Sequence, residues 1–100
     1  MRAAAATMEP HRLRVPDGIA EFVRGLHPEL KRKVRAGLDL IRRDPAAGKE
    51  LRDELAGLRS LRVGRFRIVY RVAARRLIDL VAIGPRRTIY QETLRRLRRA

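Results

Sequence analysis

Residues 58–84, LRSLRVGRFRIVYRVAARRLIDLVAIG, decide the fold. LRSLRVG at 58–64 alternates as an amphipathic strand does. In RFRIVYRVA at 65–73, Phe66, Ile68, Tyr70 and Val72 alternate with Arg65, Arg67, Val69 and Arg71. RLIDLVAIG at 76–84 is more continuously apolar, the mark of a central strand covered on both sides. The three segments follow one another closely enough to pair as an antiparallel meander. AARR at 73–76 lacks Gly, Asn and Pro, so the sequence sets no register for the second hairpin.

On the N-terminal side the period changes. HRLRV at 11–15 alternates and is stopped by Pro16, which predicts a short strand. Ile19, Phe22, Val23 and Leu26 then fall on one helical face, with Asp17 as the expected N-cap. Pro28 opens a second helix carrying Leu30, Val34, Leu38 and Ile41, which ends at DPAAG, residues 44–48. Two amphipathic helices with so short a link form a hairpin whose apolar stripe turns to a sheet. Residues 49–57 are ambiguous: Leu51, Leu55 and Leu58 suit a short helical turn, for which Gly57 is a candidate cap. After the strands, Thr88 and Gln91 form a capping-box pair at the start of a terminal helix with Tyr90, Leu94 and Leu97 on one face. The expected class is α+β: an N-terminal strand and helical hairpin packed on a small antiparallel sheet of about four strands, followed by a short C-terminal helix. Residues 1–10 read as a flexible tail, with Met8 an alternative start, and 11–100 as one domain.

Composition narrows the function classes. The chain has 100 residues, 45% of them hydrophobic, enough for one core made mainly of Leu, Val, Ile and Ala. There is no cysteine, hence no disulfide and no thiolate metal site, which suits a cytoplasmic location. No apolar run reaches the roughly 20 residues of a membrane span, so no membrane is expected as a partner. The net charge is +14, and residues 58–100 hold 13 Arg and no Lys against only Asp79 and Glu92, a net of +11. That half predicts a polyanion or an acidic protein as partner, and arginine favours bidentate contact with phosphate or carboxylate.

Arg67 and Arg71 point away from Phe66, Ile68 and Tyr70, so they stand on the open face if the aromatics face the helices. With Arg59, Arg62, Arg86 and Arg87 they predict a basic groove that binds substrate. Tyr90 has two readings: a core tyrosine beside Leu94 and Leu97, or a groove tyrosine that stacks on a base or moves a proton. Other chemistry is poorly supplied. His11 and His27 read as structural or incidental, no spacing suggests a metal site, and no cofactor loop is present. Ser60 has no paired base, and Asp79 and Glu92 read as ion-pair partners for nearby arginines. Arginine with tyrosine is left as the machinery, and it suits attack of an RNA 2′-hydroxyl on its own phosphate.

LRDELAGLRSLRVGRFRIVYRV at 51–72, with LIDLVAIGPRRTIY at 77–90, resembles the RelE/ParE superfamily of bacterial type II toxins. In that superfamily a strand LRVGxYRxxYxV precedes one ending xIGxRRxxY. The likeness covers about residues 11 to 98 and implies a RelE-like fold. It also implies a toxin held by a cognate acidic antitoxin in a hetero-oligomer, and an endoribonuclease that needs no metal or cofactor and cuts messenger RNA on the ribosome. By position, Arg67 resembles the arginine that holds the scissile phosphate, Arg86 or Arg87 the one that stabilises the transition state, and Tyr90 the tyrosine that stacks on or activates the nucleotide. Leu58, Arg59, Ser60 and Leu61 stand where the ribonuclease members often place lysines, and Pro85 replaces a basic residue or histidine. ParE-like members bind DNA gyrase instead and lack this arginine and tyrosine set. A gyrase poison and a non-catalytic RNA-binding module are the alternatives.

Overall fold

The computed structural model describes residues 10–74 and 76–99. The expected tail, apart from its last residue, and the alternative start at Met8 lie outside the described residues. The chain runs β1 (Arg12–Arg14), α1 (Asp17–Arg24), α2 (Pro28–Arg43), β2 (Lys49–Glu50), β3 (Arg59–Val63), β4 (Phe66–Val72), β5 (Leu77–Pro85) and α3 (Ile89–Arg99). Short 3-10 turns at Pro45–Ala47 and Asp53–Leu55 flank β2.

The meander forms as its alternation predicts. β3 pairs with β4 and β4 with β5, all antiparallel. Gly64 and Arg65 make the β3–β4 loop, and Gly64 supplies at φ 60 the positive angle that primed hairpin turns need at their first position. Arg76 takes φ 58 in the second loop, a conformation its residue type does not advertise. The sheet is larger and more mixed than expected, with five strands in the order β1-β5-β4-β3-β2. β1 lies parallel to β5, because the intervening helices and meander bring the chain back beside it in the same direction. The 49–57 segment, ambiguous in sequence, divides: its start is the edge strand β2, whose Lys49 and Glu50 pair with Ser60 and Arg59. Only Asp53–Leu55 winds helically, closed by Gly57 at φ 93.

Proline sets both helix starts. Pro16, rather than Asp17, is the cap residue of α1, and Asp17 becomes its first helical residue, where a carboxylate meets the positive end of the helix dipole. Pro28 occupies the first turn of α2, and the backbone N–H of Glu29 donates to Nδ1 of His27 at 3.2 Å, a structural task for that histidine. The inner stripe of the hairpin buries Ile19, Val34 and Ile41 against Ile68, Tyr70, Ile78, Leu80 and Ile83. Each such aliphatic side chain contributes about 1.5–3 kcal/mol, so this face holds most of the apolar stabilisation.

The opposite face is not open, contrary to the sequence reading. Val69 and Ala82 are covered there by Leu55, Leu58 and Ile89, with Leu51, Val81, Tyr90 and Leu94 packed around them. A bulge makes this possible: Val69 pairs with Ala82 but Tyr70 with Leu80, which leaves Val81 as the extra residue of β5. Leu80 and Ile83 can then both face the hairpin while Val81 and Ala82 serve the second cluster. The buried face of α3 also differs from the expected Tyr90, Leu94 and Leu97. Ile89 and Thr93 are fully enclosed, the Thr93 hydroxyl donates to the Ile89 carbonyl at 2.7 Å, and Leu97 stays 40% exposed.

Tyr70 ties the strands to the segment that follows α2. It is completely buried, its hydroxyl donates to the Pro45 carbonyl at 2.6 Å, and it accepts from the Gly48 N–H at 2.9 Å. Only glycine fits at position 48, since a Cβ there would stand 2.6 Å from the Tyr70 hydroxyl and 3.0 Å from the Ser60 carbonyl carbon. The next residue is Lys49, so this clamp fixes where the β2 side chains emerge.

Candidate functional site

β4 turns Arg67 to the same side as Val69, away from Ile68 and Tyr70. On that side its Nη1 donates to the Ser60 hydroxyl on β3 at 3.1 Å. Burial of Ile89 swings the first turn of α3 over the sheet and brings the Tyr90 hydroxyl to 3.4 Å from the same Ser60 oxygen. Ser60, 2% exposed, thus joins an arginine and a tyrosine 23 positions apart in sequence. Its ring packs in the second cluster while its oxygen reaches the cleft, so the packed position does not withdraw the hydroxyl from it.

Arg86 and Arg87 stand in the turn between β5 and α3. The Arg86 N–H donates to the Arg65 carbonyl at 2.9 Å, which fastens this turn to the β3–β4 hairpin. Lys49 enters from the edge, opposite Ser60 in register and therefore on the same face. The result is a surface cleft of about 680 Å³ lined by Lys49, Arg65, Arg67, Pro85, Arg86, Arg87 and Tyr90. Five of these seven side chains are cations and none is a carboxylate. The acids pair elsewhere: Asp79 with Arg14 at 3.0 Å and Arg71 at 3.1 Å, Glu92 with Arg95 at 3.0 Å, Glu50 with Arg59 at 3.7 Å. Uncompensated positive charge in a concave site concentrates anions.

Of the residues singled out in the sequence, Arg67, Arg86, Arg87 and Tyr90 meet in the cleft. Arg62 is the direct cross-strand partner of Arg67, beside the cleft, and its Nε donates to the Gly64 carbonyl at 3.3 Å. Arg59 and Arg71 do not meet the others. Arg59 donates to the Gly48 carbonyl at 2.7 Å, and Arg71 is committed to Asp79 near the far end of β4. Sequence reasoning passed over Lys49, Arg65 and the bridging role of Ser60. Arg65 shares the alternation that singles out Arg67, so its signal was present; nothing local marked Lys49 or Ser60.

Among the described residues no cluster of His, Cys, Asp or Glu could hold a metal ion, and the cleft's cations would repel one. Arginine is a poor base, so what the arrangement offers is a set of cations, Arg67, Arg86 and Arg87 among them, able to gather phosphate charge, with Tyr90 as the hydroxyl-bearing side chain of the lining. Ser60→Ala is expected to leave the fold intact but to release Arg67 and Tyr90 from their common anchor. A loss of about tenfold in any activity of the cleft should follow, since positional slack of that kind is costly. Unchanged activity would show that the anchor is dispensable.

The sequence over residues 11–90 matches the ParE toxin of type II toxin–antitoxin systems, parDE. The chain belongs to that family. It is a type II toxin of the RelE/ParE superfamily, and solved structures agree on its fold. A chain of the toxin–antitoxin complex RelBE2 from Mycobacterium tuberculosis is 28% identical, with a TM-score of 0.66 over 80% of this toxin and 95% of that chain. The free Escherichia coli toxin RelE, in a double arginine-to-alanine variant, is 18% identical, with a TM-score of 0.69 over 90% and 97%. The archaeal RelE–RelB complex from Pyrococcus horikoshii is 19% identical, with a TM-score of 0.63 over 77% and 96%. Among curated proteins none matches the toxin.

Proposed function

We propose that this toxin is an endoribonuclease that cuts translated messenger RNA on the ribosome, without metal, by attack of the 2′-hydroxyl on the adjacent phosphorus. The observation that carries the reading is the Arg67, Ser60 and Tyr90 cluster on the wall of a cleft with five cations and no carboxylate. In this reaction the 2′-oxygen bonds to phosphorus, the bond to the 5′-oxygen breaks, and a 2′,3′-cyclic phosphate and a 5′-hydroxyl remain. Arg67 and Arg86 or Arg87 hold the non-bridging oxygens as negative charge builds on them. The Tyr90 hydroxyl, which reaches the cleft beside Ser60, passes a proton to the leaving 5′-oxygen. Solvent water takes up the proton of the attacking 2′-hydroxyl, and a proton returns from solvent to Tyr90. The decoding site supplies the remaining alignment. Arg62 extends phosphate contact beyond the cleft, while Arg59 and Arg71 act on substrate only through the segments they brace.

The same uncompensated charge supports an acidic antitoxin as the resting partner in a hetero-oligomer, and the relatives named RelBE and RelE–RelB are solved as such complexes. A ribosomal substrate places the toxin in the cytoplasm; no helix among the described residues is long and apolar enough to cross a membrane.

The family match itself favours a second reading, a gyrase poison acting by protein contact. Brief expression from a tight promoter, with transcriptome-wide mapping of RNA 5′ ends, separates the two. New ends inside translated frames are expected. Intact messages with broken DNA would replace the ribonuclease with a gyrase poison, and bound but uncut RNA would leave a binding module.

A further inference from the structure

Among the described residues five side chains carry a hydroxyl: Ser60, Tyr70, Thr88, Tyr90 and Thr93. Ser60, Tyr70 and Thr93 are buried and Tyr90 is half-buried, so Thr88 alone is exposed. We propose that Thr88 is a phosphorylation site through which a protein kinase closes the cationic cleft from within the chain. The proposal needs only the charge of the cleft and does not rest on what the cleft acts upon.

The placement of this hydroxyl favours such a role. Pro85, Arg86, Arg87 and Tyr90, on either side of Thr88 in the chain, all line the cleft. The backbone fixes position 88 between them. Its N–H donates to the Pro85 carbonyl at 3.2 Å, its carbonyl accepts from the Glu92 N–H at 3.0 Å, and the adjoining Ile89 is buried. Arg86 and Arg87 are exposed, and among the described residues neither pairs with a carboxylate. Two arginines directly before an exposed hydroxyl also suit a kinase with an acidic substrate groove, since kinases choose substrates by charge pattern. In the transfer, Oγ1 of Thr88 bonds to the γ-phosphorus of ATP and the bond from that phosphorus to the β,γ-bridging oxygen breaks. ADP leaves, and the hydroxyl proton passes to the catalytic base of the kinase. The product carries a charge of about −1.5 to −2 and three acceptor oxygens. Arg87 and Arg86, one and two residues away, pair with it through charge-assisted hydrogen bonds. Two of the five cations of the cleft are then held in cis, where the high effective concentration of a tethered phosphate outcompetes a ligand from solution.

The test uses the full-length toxin with phosphothreonine genetically encoded at position 88. A phosphorus NMR titration is expected to place the second ionisation of the phosphate below the value of about 6 found in a free peptide, because neighbouring cations favour the dianion. Replacing both arginines, Arg86→Ala with Arg87→Ala, should return it to the peptide value. Binding of a single-stranded, uncleavable 2′-O-methyl oligonucleotide should weaken, and its logarithmic salt dependence should flatten by about 1.4, two phosphate contacts at roughly 0.7 each. Thr88→Val should bind as the unmodified toxin does, which separates the added charge from loss of the hydroxyl. The titration reads the arginines directly, so it decides the proposal whatever the cleft binds. A phosphate that titrates as in the free peptide, or oligonucleotide binding that the phosphate leaves unchanged, overturns it. So does toxin recovered from its own cells, in growth and in starvation, whose residue 88 never carries phosphate.

Discussion

If the proposed ribonuclease activity holds, Arg67→Ala is expected to abolish cleavage of translated messenger RNA while the protein stays folded. Removing a preorganised donor to developing negative charge lowers turnover by about 10²–10³-fold, and Arg67 is the cleft arginine whose guanidinium the structure anchors, through Ser60 at 3.1 Å. A side chain held in this way costs little reorganisation when substrate arrives, which is why its loss should exceed that of Arg86 or Arg87, exposed in the turn before α3. The fold should survive because Arg67 points out of both apolar clusters. The measurement is cleavage of a programmed ribosome complex by wild type and variant at equal concentration, with circular dichroism melts of both. A folded Arg67→Ala protein that cuts at the wild-type rate would remove the site from this cleft.

Tyr70→Phe has the largest stability effect expected of any single-oxygen deletion in the chain, a loss of about 2–4 kcal/mol. The phenol oxygen satisfies the Gly48 N–H and the Pro45 carbonyl together, and each buried group left without a partner costs roughly 1–3 kcal/mol. Because Lys49 follows directly, the variant should also bind RNA less well than its remaining fold predicts. The effect carries a pH signature. Burial raises the Tyr70 pKa above its ordinary 10.0, outweighing the Gly48 hydrogen bond and the charge of Arg59, which lower it. A raised folded-state pKa means that the Tyr70 contribution is complete below pH 10 and is lost as pH climbs through the folded value, while the unfolded chain has already released its proton. Denaturant melts should therefore show the gap between wild type and Tyr70→Phe narrowing above pH 10. A gap that stays constant there would mean that the hydroxyl is not the group that couples this region to pH.

Much of the fold was legible from local pattern. Alternation over 58–84 gave the meander because residues i and i+2 on a strand share a face whatever lies nearby, and the spacing of Val34, Leu38 and Ile41 gave α2 for the analogous helical reason. Proline at 16, 28 and 45 marked boundaries because its ring restricts the backbone without help from tertiary contacts. The excess of arginine after residue 58, and the candidacy of Arg67, Arg86, Arg87 and Tyr90, likewise came from the chain alone.

What local pattern could not reach depended on contacts between distant segments. The parallel pairing of β1 with β5 carries no local mark, and a two-residue β2 is too short for alternation to register. The bulge at Val81 arises because two clusters on opposite faces compete for the side chains of β5, and it helps cover the face that pattern alone leaves open to solvent. The cleft is the clearest case. Arg67 was marked by its own alternation, but Lys49 joins it through pairing with Ser60, Tyr90 through the docking of Ile89, and Ser60 becomes their anchor only because all three meet. Sequence by itself determined which of the longer elements form and where positive charge accumulates, since both depend on near neighbours along the chain. Tertiary structure alone decided which cations converge and which, like Arg59 and Arg71, are spent on bracing, because strand register and helix docking are settled by the packing of the whole molecule.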